Sequence, residues 1–276
     1  MHIFYVQGGG LGHLTRIDKL IKTLSIPKEA IKIITPSSFT NYFKDYQFIK
    51  LSWSETPNNW TKQIAQVLNK YSVSSFYIDA FPLGLKGELL PVYKVFTELN
   101  YIYISRILKW ETYLKAMNNE TPSVIFSKTM VLEQLYETHL DWIVAHSKNV
   151  LHLHLKPKGV ISIPFINSDY IMVVHSGGTA DVLKICNKAI EDYKHNPNIS
   201  IIVFTQVDIQ LKSEKIVVYK NIFPVTQYYD HAKQIYTAGG FNSVHELELF
   251  RYKHNVIPLE KRFDDQFFRI SINKSS

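Results

Sequence analysis

The sequence predicts an α/β protein built in two halves, each a doubly wound and mostly parallel sheet. Three observations lead there. Short apolar runs alternate with helix-period stripes along the whole chain, the order of a parallel sheet joined by crossover helices. Each half opens alike, with an apolar strand, a glycine loop and an amphipathic helix: residues 3–6 with Gly8-Gly9-Gly10-Leu11-Gly12-His13, and residues 170–175 with Ser176-Gly177-Gly178. The 276 residues suffice for two domains of about 140 residues each, and 46% hydrophobic with 20% charged residues is a globular balance.

In chain order, residues 3–6 give the first strand. Behind its glycine loop, Ile17, Leu20, Ile21 and Leu24 fall at i, i+3, i+4 and i+7, one face of a helix. Residues 31–35 form a second strand, closed by Pro36-Ser37-Ser38, a helix start. Strands follow at 48–51, 76–79 and 101–105, with helices at 59–70 and 87–99. Residues 128–140 read as a helix with Leu132, Leu135, Tyr136 and His139 on one face, and 142–145 and 150–155 as the last strands of the half. Residues 156–164 read as the linker, dividing a first domain, 1–157, from a second, 165–276. After the strand at 170–175, Val182, Ile185, Cys186, Ala189, Ile190 and Tyr193 share one helix face. Strands at 201–205 and 216–219, a helix near 226–232 and a strand at 234–237 lead to Thr237-Ala238-Gly239-Gly240-Phe241-Asn242-Ser243-Val244-His245-Glu246. A short strand through Val256-Ile257-Pro258 and the polar loop Asp264-Asp265-Gln266 close the pattern. The halves share architecture but no close sequence repeat.

Several function classes drop out. The excess of 31 basic over 24 acidic residues, a net +7, favours anionic ligands or an anionic membrane surface. It is spread along the chain, without an arginine-rich arm or a basic helix interleaved with aromatics, so nucleic acid is not an expected partner. The one cysteine, Cys186, lies on an apolar helix face and reads as a core thiol, which leaves no internal disulfide framework or cysteine zinc site. No basic leader precedes the first strand, and no apolar run approaches the about 20 residues that span a bilayer. The expected location is the cytoplasm, with peripheral contact at the inner membrane face as the one membrane role. The first loop fails the dinucleotide fingerprint, because His13 stands where the third glycine belongs and Thr35-Pro36-Ser37-Ser38 offers no acid for a ribose. The chain also lacks a P-loop and a D-x-D metal–diphosphate motif, and no metal is expected.

What remains is a set of glycine turns at helix starts. Such a turn presents free backbone amides and the positive end of a helix dipole, which suits a phosphate, and an acid further along the helix, here Glu246, can take hydroxyls of the same ligand. On pattern alone, residues 237–266 are equally an ordinary strand–helix–strand unit with a tight connection. His13 suits a general base, since an imidazole titrates near working pH; a hydrogen bond to a loop carbonyl is the plainer reading. Asp79 ends an apolar strand, and in an open parallel sheet ligands gather at the carboxyl ends of strands. Glu88 opens the next helix and reads as structural. Arg106, just past a strand, can bind an anion or be an ordinary surface arginine. His152 and His154 face one side of a strand with no third metal ligand suggested nearby.

With these residues in place, the chain resembles the GT-B glycosyltransferases, and most closely family 28, which includes the lipid-linked GlcNAc transferase of peptidoglycan synthesis, and a group of predicted transferases similar to it. Gly8-Gly9-Gly10-Leu11-Gly12-His13 looks like the family's N-terminal loop. Residues 78–88, Ile-Asp-Ala-Phe-Pro-Leu-Gly-Leu-Lys-Gly-Glu, look like the acid–proline–glycine stretch of the predicted group. Residues 238–246 with Val256-Ile257-Pro258 and Asp264-Asp265-Gln266 look like the family's donor site.

The resemblance implies two Rossmann-like domains with parallel sheets facing a cleft, the acceptor in the N-terminal half and a nucleotide-sugar donor in the C-terminal half. It places Glu246 on the ribose, Gly239, Gly240, Phe241, Asn242 and Ser243 at the diphosphate, and Asp265 and Gln266 on the transferred sugar. Gly177 and Gly178 would line the phosphate region, and Ile222-Phe223 would approach the base. His13 and Asp79 would be catalytic, with Gly9, Gly10, Gly12 and Arg106 in the acceptor-side loops. The implied activity is inverting, metal-independent transfer of a sugar from a nucleotide diphosphate, UDP-GlcNAc or a similar UDP-sugar, to a hydroxyl of a sugar or lipid-linked acceptor, with no cofactor. Family members run longer, with C-terminal helices that brace the N-terminal domain; only residues 267–276 follow Gln266, so a shortened C-terminal domain is expected. Two other readings stand beside it, a nucleotide-sugar-binding protein without turnover and a UDP-sugar epimerase.

Overall fold

The computed structural model describes residues 1–155, 161–196, 198–211, 213 and 215–274. The chain divides into two compact units: residues 1–155 with 262–265, and residues 156–261 with 266–276. Most of the predicted linker, residues 156–160, lies outside the described residues.

Among the described residues the first unit holds a seven-stranded sheet, in which every pairing runs parallel. Its strands and helices are β1 (His2–Val6), α1 (Leu11–Thr23), β2 (Ile31–Thr35), β3 (Gln47–Lys50), α2 (Pro57–Lys70), β4 (Ser75–Asp79), α3 (Leu89–Val95), β5 (Tyr101–Ser105), α4 (Trp110–Ala116), β6 (Lys128–Val131), α5 (Glu137–Ala145) and β7 (Val150–His152). The strand order is β3-β2-β1-β4-β5-β6-β7. The chain builds outward from β1 in one direction and then, from β4, in the other. The point where the order reverses lies between β1 and β4, whose residues pair from His2↔Ser75 to Val6↔Asp79. The strands β4 and β5 are buried throughout, as expected for parallel strands covered on both faces.

Local chemistry explains the elements. The predicted stripe of α1 packs inward, with Ile17, Leu20 and Ile21 buried. Helix α2 starts where Thr56 accepts a bond from the Asn59 amide and Pro57 occupies the first turn, and it buries Trp60, Ile64, Val67 and Leu68.

The expectation for residues 128–145 is corrected. Residues 128–131 are strand β6, paired with β5 from Ile102↔Lys128 to Ser105↔Val131, and residues 142–145 end helix α5 instead of forming a strand. A buried parallel strand shows no alternation, so Thr129, Met130 and Val131 ran on into the loop apolar residues and imitated a helix stripe. Helix α4, seven residues with Trp110 and Tyr113 buried, is too short for its period to show in the sequence.

The second unit holds a five-stranded parallel sheet ordered β10-β9-β8-β11-β12 among the described residues. Its elements are β8 (Tyr170–His175), α6 (Thr179–Asp192), β9 (Ser200–Thr205), β10 (Ile216–Lys220), β11 (Ile235–Ala238), α7 (Phe241–Glu246), β12 (His254–Ile257) and α8 (Gln266–Lys274). Here the order reverses between β8 and β11. Helix α6 buries Val182, Ile185, Cys186 and Ala189 against the sheet, and burial pushes the Cys186 thiol up to about 12, an inert core group. The helix expected near 226–232 shrinks to a 3-10 turn at Thr226–Tyr228.

Candidate functional site

In the first unit the reversal between β1 and β4 brings together the ends of those strands, the place where an open α/β sheet accepts ligands. Helix α1 begins at Gly10 and carries His13 and Arg16 three residues apart, on one face. Asp79 is the last residue of β4 and is fully buried. The His13 Nδ1 lies 2.7 Å from Asp79 Oδ2. Arg16 grips the same carboxylate from the side, Nε to Oδ1 at 2.9 Å and Nη2 to Oδ1 and Oδ2 at 2.8 and 2.7 Å. The carboxylate only accepts, so Nδ1 carries the proton it donates to Asp79, and a neutral ring keeps its lone pair on Nε2. The His13 side chain is 17% exposed.

Burial drives the His13 pKa below its ordinary value; Asp79 works against this, and the charges of Arg16 and Arg106 work with it. Burial pushes Asp79 the other way, but the Arg16 charge and the bonds from His13 and Arg16 outweigh it and hold the carboxyl below its usual range. A neutral imidazole hydrogen-bonded to a carboxylate can serve as a general base.

The surroundings fix this pair. Gly8 has φ +119°, and a Cβ there would lie 2.5 Å from His13 Nε2. Gly8→Ala is therefore expected to displace the imidazole; loss of the perturbed His13 titration in an NMR pH series, with the sheet intact by circular dichroism, is the check. Ala80, next to Asp79, has φ 65°, a strained value for a side-chain-bearing residue. The turn is tied down on several sides: Ala80 N–H donates to Ile104 O, Tyr103 Oη to Ala80 O, and Gln7 Nε2 to Phe81 O. The Phe81 ring stacks loosely on His13, centroids 6.2 Å apart.

Glu88 is structural. Its carboxylate accepts from the amides of Leu85 and Lys86 and from Tyr5 Oη, under a loop whose Gly84 has φ +93°. Arg106 is not a surface residue: it is 5% exposed, donates to Ile107 O and pairs with Asp264. Gly9 lies against the Trp53 indole, and Ser37 Oγ donates to Gly9 O at 3.4 Å. Gly10 caps α1, and Gly12 sits in its first turn. Asp265 belongs to the first unit, where Tyr136 Oη donates to its Oδ2 at 2.7 Å.

In the second unit the reversal between β8 and β11 places two glycine turns side by side in the sheet order. Gly178 is the N-cap of α6 and Gly240 that of α7. Their φ values, −65° and −69°, suit any residue, and a Cβ on either would meet nothing within 4 Å. The fold itself does not call for glycine at these positions. Gly177 and Gly239 differ: a Cβ on Gly177 would strike the His175 ring, and one on Gly239 would lie 2.8 Å from Ile270 Cδ1.

Helix α8 holds this turn. The Gly239 N–H and the Leu259 N–H both donate to Gln266 Oε1 at 3.0 Å, and Arg269, fully buried, donates to Gly239 O at 2.9 Å. The Gln266 oxygen thus serves the turn from inside. Phe241 is buried against His245, a packing role. Asn242 and Ser243 are half-buried in the first turn of α7, and Glu246, half-buried at its end, accepts from Tyr229 Oη. Phe223 is half-buried in the segment after β10, beside Ile222, which packs on the core of the unit. In the first turn of α6, Asp181 pairs with Lys261 and lies 3.7 Å from Nε2 of His175, the last residue of β8.

The sequence does not single out Arg16, Arg269 or Lys261. Arg16 alone had a readable signal, its i, i+3 spacing from His13. Among the described residues, no helix is long and apolar enough to cross a membrane.

No protein-family model and no curated protein sequence matches the chain. Solved structures do match it in fold. A spinosyn forosaminyltransferase superposes with a TM-score of 0.62 at 7% identity, over 99% of this chain and 83% of that one. A UDP-GlcNAc 2-epimerase from Neisseria meningitidis, bound to UDP-GlcNAc, gives 0.61 at 10% identity, over 98% and 85%. The glycotransferase of kitacinnamycin gives 0.60 at 12% identity, over 98% and 83%. With its two all-parallel sheets, the chain has the α/β fold of the GT-B glycosyltransferases.

Proposed function

We propose that this protein is an inverting glycosyltransferase that takes a sugar from a nucleotide diphosphate donor, UDP-linked, and moves it to a hydroxyl of a sugar or lipid-linked acceptor. The observation that carries this is the pairing of two different chemistries at two switch points. A His–Asp pair stands at one, and a pair of N-cap glycines that the fold does not require stands at the other.

In the first unit, His13 Nε2 takes the proton of the acceptor hydroxyl while Asp79 steadies the imidazolium that forms. The oxygen attacks the anomeric carbon from the face opposite the leaving diphosphate, so the configuration inverts. In the second unit, the backbone amides at the starts of α6 and α7 meet the charge developing on the diphosphate, already oriented before the reaction. Glu246 takes the ribose hydroxyls with its outer edge, and the segment at Phe223 lies by the base. The absence of a D-x-D motif supports a metal-independent reaction, and the three stretches that resemble family 28 motifs support a relation to that family.

UDP is expected to raise the melting temperature, by about 2.7 kcal/mol of stabilisation at a hundredfold excess over Kd, and Glu246→Ala to remove most of that rise. A UDP-independent melting curve at millimolar ligand overturns the proposal. Donor hydrolysis or transfer that vanishes in His13→Ala rejects a binding protein without turnover. Interconversion of UDP-sugars without an acceptor would assign epimerisation instead, the activity named for one fold neighbour.

A further inference from the structure

We infer that Arg16 is a positioning residue that sets the charge state of the His13–Asp79 pair: as the counter-ion of Asp79, it leaves His13 a neutral imidazole with its proton on Nδ1 and its lone pair on Nε2. The inference rests on reading His13 as a base and explains why it is one.

A buried carboxylate beside a histidine ordinarily makes an ion pair, with the histidine protonated, because the two charges cancel. An imidazolium has no lone pair left to accept a proton. Here the cancelling charge comes from elsewhere. Arg16, 3% exposed, is always charged and places three N–H···O contacts of 2.7–2.9 Å on the two oxygens of Asp79. With Asp79 negative and Arg16 positive, the buried group is neutral when His13 is neutral, and protonating His13 would place a net positive charge there.

The other groups facing His13 agree. Arg106, beyond β5, is positive and pairs with Asp264, and the Phe81 ring offers no charge. The Arg16 Nη2 also stands 3.1 Å from His13 Nδ1. At that distance the guanidinium charge opposes a second positive charge on the ring. The same fork holds the carboxylate in the orientation that receives the Nδ1 proton.

The test is a pH titration of the full-length chain labelled with 15N-histidine, His13 being assigned with His13→Gln. The parent is expected to show His13 neutral at pH 7 and protonated on Nδ1. Arg16→Gln is expected to move the His13 midpoint to higher pH, because Asp79 then has only the imidazole to cancel its charge. Arg16→Lys, which keeps the charge and loses the fork, is expected to keep the midpoint near the parent's. An imidazolium or an Nε2–H tautomer in the parent overturns the inference. So does a midpoint that Arg16→Gln leaves in place or lowers. Should Arg16→Gln fail to fold, the parent tautomer and the Arg16→Lys titration decide the matter. No donor is needed, so a failure to bind UDP would sink the glycosyl-transfer reading and leave this one standing.

Discussion

Asp79→Ala is expected to cost the first unit about 3–5 kcal/mol of stability, because it leaves the Arg16 charge buried without its counter-charge. Asp79 is fully buried and Arg16 is 3% exposed, so water cannot replace the lost carboxylate without the structure opening. In thermal unfolding this amounts to a fall of about 6–20 °C for a unit of this size. Asp79→Asn keeps the volume and an oxygen for the Arg16 fork, so its cost is smaller, about 1–3 kcal/mol. The double variant Asp79→Ala, Arg16→Met should recover part of the loss, since the orphaned charge goes with it. A melting curve for Asp79→Ala within about 1 kcal/mol of the parent would show that solvent reaches Arg16 and that the pair is not a buried one. The pH dependence has a definite sign. Asp79 has a depressed folded-state pKa, so its contribution is full at neutral pH and is lost as pH falls through and below the ordinary carboxylate range.

That same carboxylate shows what the sequence could and could not reveal. Asp79 was legible as a candidate site residue because it ends an apolar run, and the carboxyl ends of parallel strands are where ligands gather. Its partner His13 was legible from the glycine loop. Their direct bond, across a separation of 66 residues, follows from the pairing of β1 with β4, which no local pattern encodes. Arg16 was hidden differently: a basic residue on an amphipathic helix reads by default as surface, and only the buried acid on the neighbouring strand turns it inward. Gln266 and Asp265 were adjacent in the motif yet do different things. Asp265 is bonded to Tyr136 in the first unit and Gln266 to the Gly239 turn in the second, because the chain passes from one unit to the other between them. The strand at residues 128–131 was missed because a strand buried on both faces has no period to read.

Gly178→Ser and Gly240→Ser are expected to leave the fold as stable as the parent or slightly more so, and to cut UDP binding at least tenfold, about 1.4 kcal/mol or more. The two effects part company because of where the missing side chains would go. Each glycine caps a helix with a φ that any residue adopts, and its Cβ direction is empty. Serine is the better N-cap, since its hydroxyl can accept from an amide of the first turn, a side-chain bond that glycine cannot make. On stability alone a glycine has no advantage at either position. A phosphate supplies one. Its oxygens must come to about 2.9 Å from the first-turn amides to bond them, and a serine side chain would fill that approach and engage the amides itself. Melting curves with and without UDP separate the outcomes in one experiment. A serine variant that melts at or above the parent temperature and no longer responds to UDP identifies the turn as a phosphate site. A variant that keeps the full response places the ligand elsewhere. One that unfolds shows a packing constraint that the open Cβ direction does not reveal. Gly239→Ser is the internal control, because a Cβ there would meet Ile270 and Gln266 of helix α8, so it should destabilise the unit whether or not a ligand binds.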